Sequence, residues 1–413
     1  MLNLPRPRRG SDSARPDRFL VLIVLLAIGV VAGCSEDDSP VGFDRGDRGP
    51  SLSVPETLLV ATPVADVEIR PSFTTGLSAS LLVGEDSLAT SRALIRFTSV
   101  PDTTGMCRAF LRLYVKQGRG GEIDVAVRRV TGAADSWSPN TVTFENAPAA
   151  ADVILNTWQG VKTATVPVDE FTQLRDLEIP LPVVRRWVEE PDSNAGLQLS
   201  WSGGRGTARF VSGNDLIYNS SGNRIFTPGL ILVDEDSTDI RFASVNEDAY
   251  VCRSALPEAT GDDEPAGIGS GPASRLLLRF DIGALPPEAS IVRSRLVLRL
   301  RAGQFSEDLP VRMSAYEITQ EWTEGSVPDS LETATSATDS RSFTAVDADS
   351  IAFELDRITQ AWVNGTENDG VLLRLTDEAS IPRRLDIHTR EAVDPSLRPS
   401  LMIVYVRVPD PRW

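Results

Sequence analysis

The sequence has one histidine in 413 residues, His388, only three cysteines, and a shortage of positive charge: 41 Lys and Arg stand against 58 Asp and Glu, for a formal net charge of −17. One histidine excludes a histidine-rich zinc or iron centre and leaves a single base for any Ser-His-Asp triad. In "LDIHTRE" it reads as an outward-facing strand residue. The acidic surplus excludes nonspecific nucleic-acid binding, which needs a basic surface. Long apolar runs are also scarce. The one that stands out, Phe19 to Val31, is shorter than the roughly 20 residues a spanning helix needs.

That run follows five arginines (Arg6, Arg8, Arg9, Arg15 and Arg18) and ends in "VAGC". A basic segment, a short apolar segment and a small-residue end make a signal peptide. Val31 to Cys34 resembles the bacterial lipobox, which implies cleavage before Cys34, acylation of Cys34 and a lipid bilayer as partner. Several acyl chains anchor stably where one is marginal, at about 0.8 kcal/mol per buried methylene. Ser35 stands where that resemblance would place Asp for inner-membrane retention, so the outer membrane is expected. Residues 1–33 are thus read as signal peptide and 34–56 as an acidic, flexible tether.

No acidic pair stands out for glycoside hydrolysis. Most carboxylates lie in runs such as "DEDSTD" (234–239) and "GDDEPAG" (261–267), read as a solvated junction and a loop without calcium-loop spacing. "SGGRG" (202–206) has no helix start after it and reads as a turn, not a phosphate cradle. No cofactor, metal or catalysis is expected. An oxidising compartment permits a disulfide between Cys107 and Cys252, but their unlike places in the repeats favour free, buried thiols.

What the sequence does have is a duplication. "SRALIRF" (91–97) returns as "SRLLLRF" (274–280), and "VADVEI" (64–69) falls on "NEDAYV" (246–251). Further blocks place Trp137 on Trp322, Trp187 on Trp362 and Gly196 on Gly370. In each copy of the opening phrase apolar residues alternate with arginines, the pattern of a half-buried strand. Short strands between Gly, Pro, Asn and Asp clusters predict an all-β chain of two tandem jelly-roll-like β-sandwich domains, 57–234 and 235–413, each folding on its own. Leu181, Val184, Trp187 and Val188 recur at helical spacing, as do Leu355, Ile358 and Trp362. Each set predicts a short amphipathic helix closing a sandwich. The four tryptophans read as core plugs, with a sugar-stacking platform as the sharper alternative.

"LLRFDIGALPPEASIVRSRLVLRL", "EITQEWTEGSV", "ITQAWVNGTENDGVLLRL" and "DSWSPNTVTFENAP" resemble the DNRLRE-type family of bacterial extracellular β-sandwich domains. The resemblance implies a jelly-roll-like fold and, in some members, carbohydrate binding beside polysaccharide-degrading enzymes. Arg279, Arg295 and Arg299 are expected to face outward, and guanidinium forks there would suit the acid groups of an anionic polysaccharide. The chain is therefore expected to be a noncatalytic surface lipoprotein binding polysaccharide or envelope glycan. The alternatives are a structural or adhesive spacer docking a surface protein and, third, a lyase or hydrolase.

Overall fold

The computed structural model describes residues 56–407 apart from 164–172, 216–227, 260, 262, 302–309, 329 and 345–347. The expectations for the signal peptide, the tether and Cys34 concern residues outside that set. In chain order the first half holds β1 (Thr57–Ala61), β2 (Pro63–Ile69), β3 (Ser80–Glu85), β4 (Ala89–Arg96), β5 (Arg108–Val130), β6 (Ala150–Lys162), β7 (Gln173–Ile179), α1 (Leu181–Glu189), β8 (Leu197–Val211) and β9 (Gly229–Val233). The second half holds β10 (Ile240–Ser244), β11 (Glu247–Ser254), β12 (Ala266–Ser270), β13 (Arg275–Phe280), β14 (Ala289–Arg299), β15 (Pro310–Glu317), β16 (Asp339–Thr344), β17 (Ser350–Glu354), α2 (Asp356–Val363), β18 (Val371–Leu375), β19 (Arg383–Ile387) and β20 (Ser400–Arg407).

Alternation decides which side of each strand is buried, and two large cores result. The first gathers Ala93, Ile95 and Phe97 with α1 residues Leu181, Val184 and Trp187. The second gathers Leu276, Leu278 and Phe280 with Leu355, Ile358 and Trp362 at α2. Both helices lie where the spacing predicts them. Each has one apolar stripe, and the sandwich end is what that stripe covers. The fold is an all-β sandwich architecture with mostly antiparallel sheets and two short helices.

Local contacts repeat with the sequence. Trp137 Nε1 donates to Ala195 O at 2.9 Å and Trp322 Nε1 to Asp369 O at 2.7 Å. Asn194 Nδ2 donates to Phe97 O at 2.7 Å, as Asn368 Nδ2 does to Phe280 O at 2.8 Å. Gly196 and Gly370 take φ of +90° and +89°, and a Cβ at either would collide with the carbonyl oxygen of Ile95 or Leu278. Only glycine fits there.

The strands do not divide at 234/235. β2 pairs with β13, so a first-repeat strand edges the five-stranded sheet β16-β15-β18-β13-β2 of the second sandwich. β1 pairs with β20 in the facing sheet β1-β20-β14-β17. Reciprocally, β11 pairs with β4 and β10 with β9 in the first sandwich. Each repeat thus lends its first two strands to the other. "DEDSTD" is no junction but the hairpin turn between β9 and β10, in which Thr238 N–H and Oγ1–H donate to Asp234 at 2.8 and 2.7 Å. Asp, Ser and Thr clusters serve tight turns by such local bonds. The chain instead crosses between sandwiches after β2 and after β11.

Two further local expectations change. The glycines of "SGGRG" lie inside β8, opposite Asp124, Ile123 and Gly120 of β5, where a Cβ on Gly204 or Gly206 would collide with the β5 backbone. The outer face of β13 is not simply solvated either. Leu277, between Arg275 and Arg279, is fully buried with Trp322, Ile318 and Leu372 in a smaller outer cluster. Trp137 covers β4 in the same way, with Leu94 and Val251.

Candidate functional site

The two crossings and the two tryptophan-bearing loops converge on a groove of about 630 Å³, lined from the first sandwich by Phe144, Glu145, Cys252 and Arg253 and from the second by Glu68, Glu324 and Val327. Strand exchange builds it, because β2 and β11 run on into the crossing segments that form its walls. Its aromatic surface is Phe73 and Phe144, both half-buried. The four repeat tryptophans present none, being at most 5% exposed.

Two of the groove carboxylates are already occupied. Glu68 accepts from Arg70 Nε at 2.7 Å, Gly267 N at 2.6 Å and both terminal nitrogens of Arg384 at 2.7 and 2.8 Å. Glu324 accepts from Asp66 N at 2.9 Å and Arg390 Nη2 at 3.0 Å. Glu145 and Glu258 are exposed. At the Phe144 corner the charge is of the other sign. The guanidinium carbons of Arg92 and Arg253 lie 4.9 and 4.8 Å from the Phe144 ring centroid.

The arginines expected to form one patch are not brought together. Arg279 lies on β13 in the five-stranded sheet, whereas Arg295 and Arg299 lie on β14 in the facing sheet. Outward positions of facing sheets look in opposite directions, so no ligand group spans them. Arg279 is spent on Trp322, with its guanidinium carbon 5.4 Å from the ring centroid and Nη1 donating to Trp322 O at 3.2 Å. Arg295 sits 3.5 Å from Glu354, which also takes Arg293 at 3.0 Å. His388 lies on the outer side of the alternation, between buried Ile387 and Thr389, and is half-buried there with its Nδ1 2.6 Å from Glu264 Oε1. Among the described residues no group of three or more His, Cys, Asp or Glu side chains could hold a metal ion, and no helix is long and apolar enough to cross a membrane.

Both described cysteines are free, and Cys107 is exposed, not buried. Cys252 keeps some surface, but burial pushes its thiol up to about 12, against a weaker opposing hydrogen bond from Ser91. Thiolate is the reactive form. In a chain beginning at Ser35, a maleimide at neutral pH is therefore expected to label Cys107 and spare Cys252, read by peptide mass mapping. Equal labelling would contradict this burial.

Residues 61–174 match carbohydrate-binding module family 96. The match includes β2, which this chain places in the second sandwich, and Arg92 and Phe144, which it places in the first. No curated protein matches. Two solved structures that the chain is similar to are infectious bursal virus derived T=1 particles and the Macrobrachium rosenbergii nodavirus. The first is 9% identical, covering 86% of this chain and 74% of that one at a TM-score of 0.13. The second is 10% identical, covering 90% and 95% at 0.10. Scores so low carry no argument.

Proposed function

We propose that this protein is a noncatalytic lipoprotein, held at the bacterial outer membrane by acylated Cys34, that binds polysaccharide or cell-envelope glycan in the groove between its sandwiches. The observation that carries the reading is the match of residues 61–174 to a carbohydrate-binding module family, over a segment that supplies Phe144 and much of the groove wall. A concave surface with half-buried aromatic rings and a few polar groups suits a saccharide, whose C–H faces pack on rings while its hydroxyls take hydrogen bonds. The anchor rests on "VAGC" after the apolar segment.

Affinity electrophoresis of the chain from Ser35 onward through gels holding neutral or acidic polysaccharides tests the binding. Retardation by at least one polymer, reduced in Phe144→Ala, is the expected result. Labelling with an alkynyl fatty acid tests the anchor. Wild type should take up label and Cys34→Ala should not. The spacer reading draws on the interlocked strands, which fuse two sandwiches into one stiff unit. It takes over if no polymer retards the chain.

A further inference from the structure

Arg92 and Arg253 place two positive charges against one ring, that of Phe144. They lie diagonally on adjacent antiparallel strands, Arg92 opposite Val251 and Arg253 opposite Thr90. Neither has a carboxylate within ion-pair distance among the described residues, in a chain with 58 acidic side chains. Arg92 Nε is buried without a hydrogen-bond partner, and among the described residues its side chain makes one hydrogen bond, 3.5 Å from Nη2 to Phe144 O. Burial first, and Arg253 second, make the Arg92 cation harder to hold. Two like charges held side by side, Arg253 exposed but Arg92 half-buried with its Nε unpartnered, are costly unless an anion joins them.

The duplication supplies an internal control. Arg275 occupies the place of Arg92 in the second copy of the phrase, and there the fork is filled. Arg275 Nε and Nη2 donate to Glu378 Oε1 and Oε2 at 2.7 and 2.8 Å. Extending the "VADVEI" and "NEDAYV" blocks by two residues puts Pro71 in the place of Arg253. The second copy thus has one arginine and its own carboxylate, and the first has two arginines and none.

We infer that Arg92 and Arg253 form an anion-binding subsite at the Phe144 corner of the groove, fitted to a carboxylate or sulfate group of a saccharide, and that the chain carries one such subsite because Glu378 fills its counterpart. This rests on the carbohydrate-binding reading and specifies which sugars that groove takes. The single Phe144 ring, with a guanidinium carbon 4.9 and 4.8 Å from its centroid, helps hold both groups in place, and planar forks suit both kinds of anion.

The test measures binding of polygalacturonate, dextran sulfate and neutral dextran to wild type, Arg92→Gln, Arg253→Gln and, as a charge control, Arg112→Gln. Wild type should bind one or both acidic polymers over dextran, and the first two variants should lose at least about tenfold in affinity while the control does not. The polymer that wins tells carboxylate from sulfate. If wild type binds dextran as tightly as the acidic polymers, or if both variants bind the acidic polymers as tightly as wild type does, the subsite is overturned and carbohydrate binding stands. If nothing binds, the carbohydrate reading fails, and the subsite is judged by small anions. Sodium sulfate, matched in ionic strength with chloride, should raise the melting temperature of wild type more than that of either variant. Equal shifts overturn the subsite. Arg253→Gln removes a like charge and should melt no lower than wild type, so loss of fold would not mask the outcome.

Discussion

Residues 235–413 expressed alone are expected to give an aggregating product with no cooperative melt, whereas residues 71–259, which carry β3 to β11, are expected to fold. The repeat boundary suggests the opposite for the first of these chains, and strand exchange is the reason. Without β1 and β2 the second sandwich loses Ala61 from its core and Ala65 and Val67 from the outer cluster. The backbone edges of β13 and β20 lose their partners, and an open edge invites aggregation. Removing Glu68 also takes away the carboxylate that both terminal nitrogens of Arg384 face, leaving that arginine, 17% exposed at its side chain, with Asp386 as its ion partner. Breaking a part-buried ion-pair network costs stability, and each lost apolar contact adds to that. A domain holds only about 5–15 kcal/mol in total. Meanwhile β11 would carry Ala249, Tyr250 and Val251, buried in the intact chain, with no sheet to enter. A synthetic peptide of residues 56–70 added to residues 71–413 should restore a second cooperative transition in calorimetry. Cooperative unfolding of 235–413 alone would refute the exchange.

Why the sequence predicts the sandwiches but not their closure follows from what alternation encodes. Period-two patterning states which face of "SRLLLRF" is buried, and it also states that the face of "VADVEI" belongs in a core. It does not state whose core, because strand pairing is nonlocal and both sandwiches offer the same edge. The duplication makes this worse, since β2 and β11 suit β4 and β13 almost interchangeably by pattern. "DEDSTD" compounds the ambiguity, because the composition of a linker and that of a hairpin turn are alike. The helices were legible, as three buried residues at helical spacing leave little choice in each. The arginine patch was not. Outwardness is a property of one strand, whereas a patch needs two strands in one sheet, and β13 and β14 are in facing sheets. The pair that does come together, Arg92 and Arg253, is 161 positions apart in the chain and meets only because β11 crosses over to β4.

The crossing strand β2 also carries the group with the largest expected effect of pH. Asp66 is 1% exposed, and its carboxyl is pushed from 3.8 up to about 7. Burial is the main cause, the nearby Glu391 and Glu324 push the same way, and the backbone N–H and guanidinium of Arg390 oppose them. Arg390 N donates to Oδ2 at 2.8 Å, while buried Oδ1 has no hydrogen-bond partner. Because the folded value lies above the unfolded one, the native chain binds the proton more tightly. Stability is therefore greatest below about pH 4 as far as this group decides, and falls as pH rises to about 7. Three units at about 1.4 kcal/mol each set the loss at roughly 4 kcal/mol. Urea unfolding at about pH 5 and about pH 8 should show the wild type weaker at the higher pH, opposite to what paired carboxylates ordinarily give. Asp66→Asn keeps the shape and cannot ionise, so it should shrink the difference and gain stability at the higher pH. The loss is local to β2, and its amides should exchange hydrogen faster at alkaline pH than those of β13 beside it, after correction for intrinsic rates. If Asp66→Asn leaves the pH difference unchanged, Asp66 is ionised in the folded chain throughout, paired with Arg390 Nε 3.3 Å from its Oδ1.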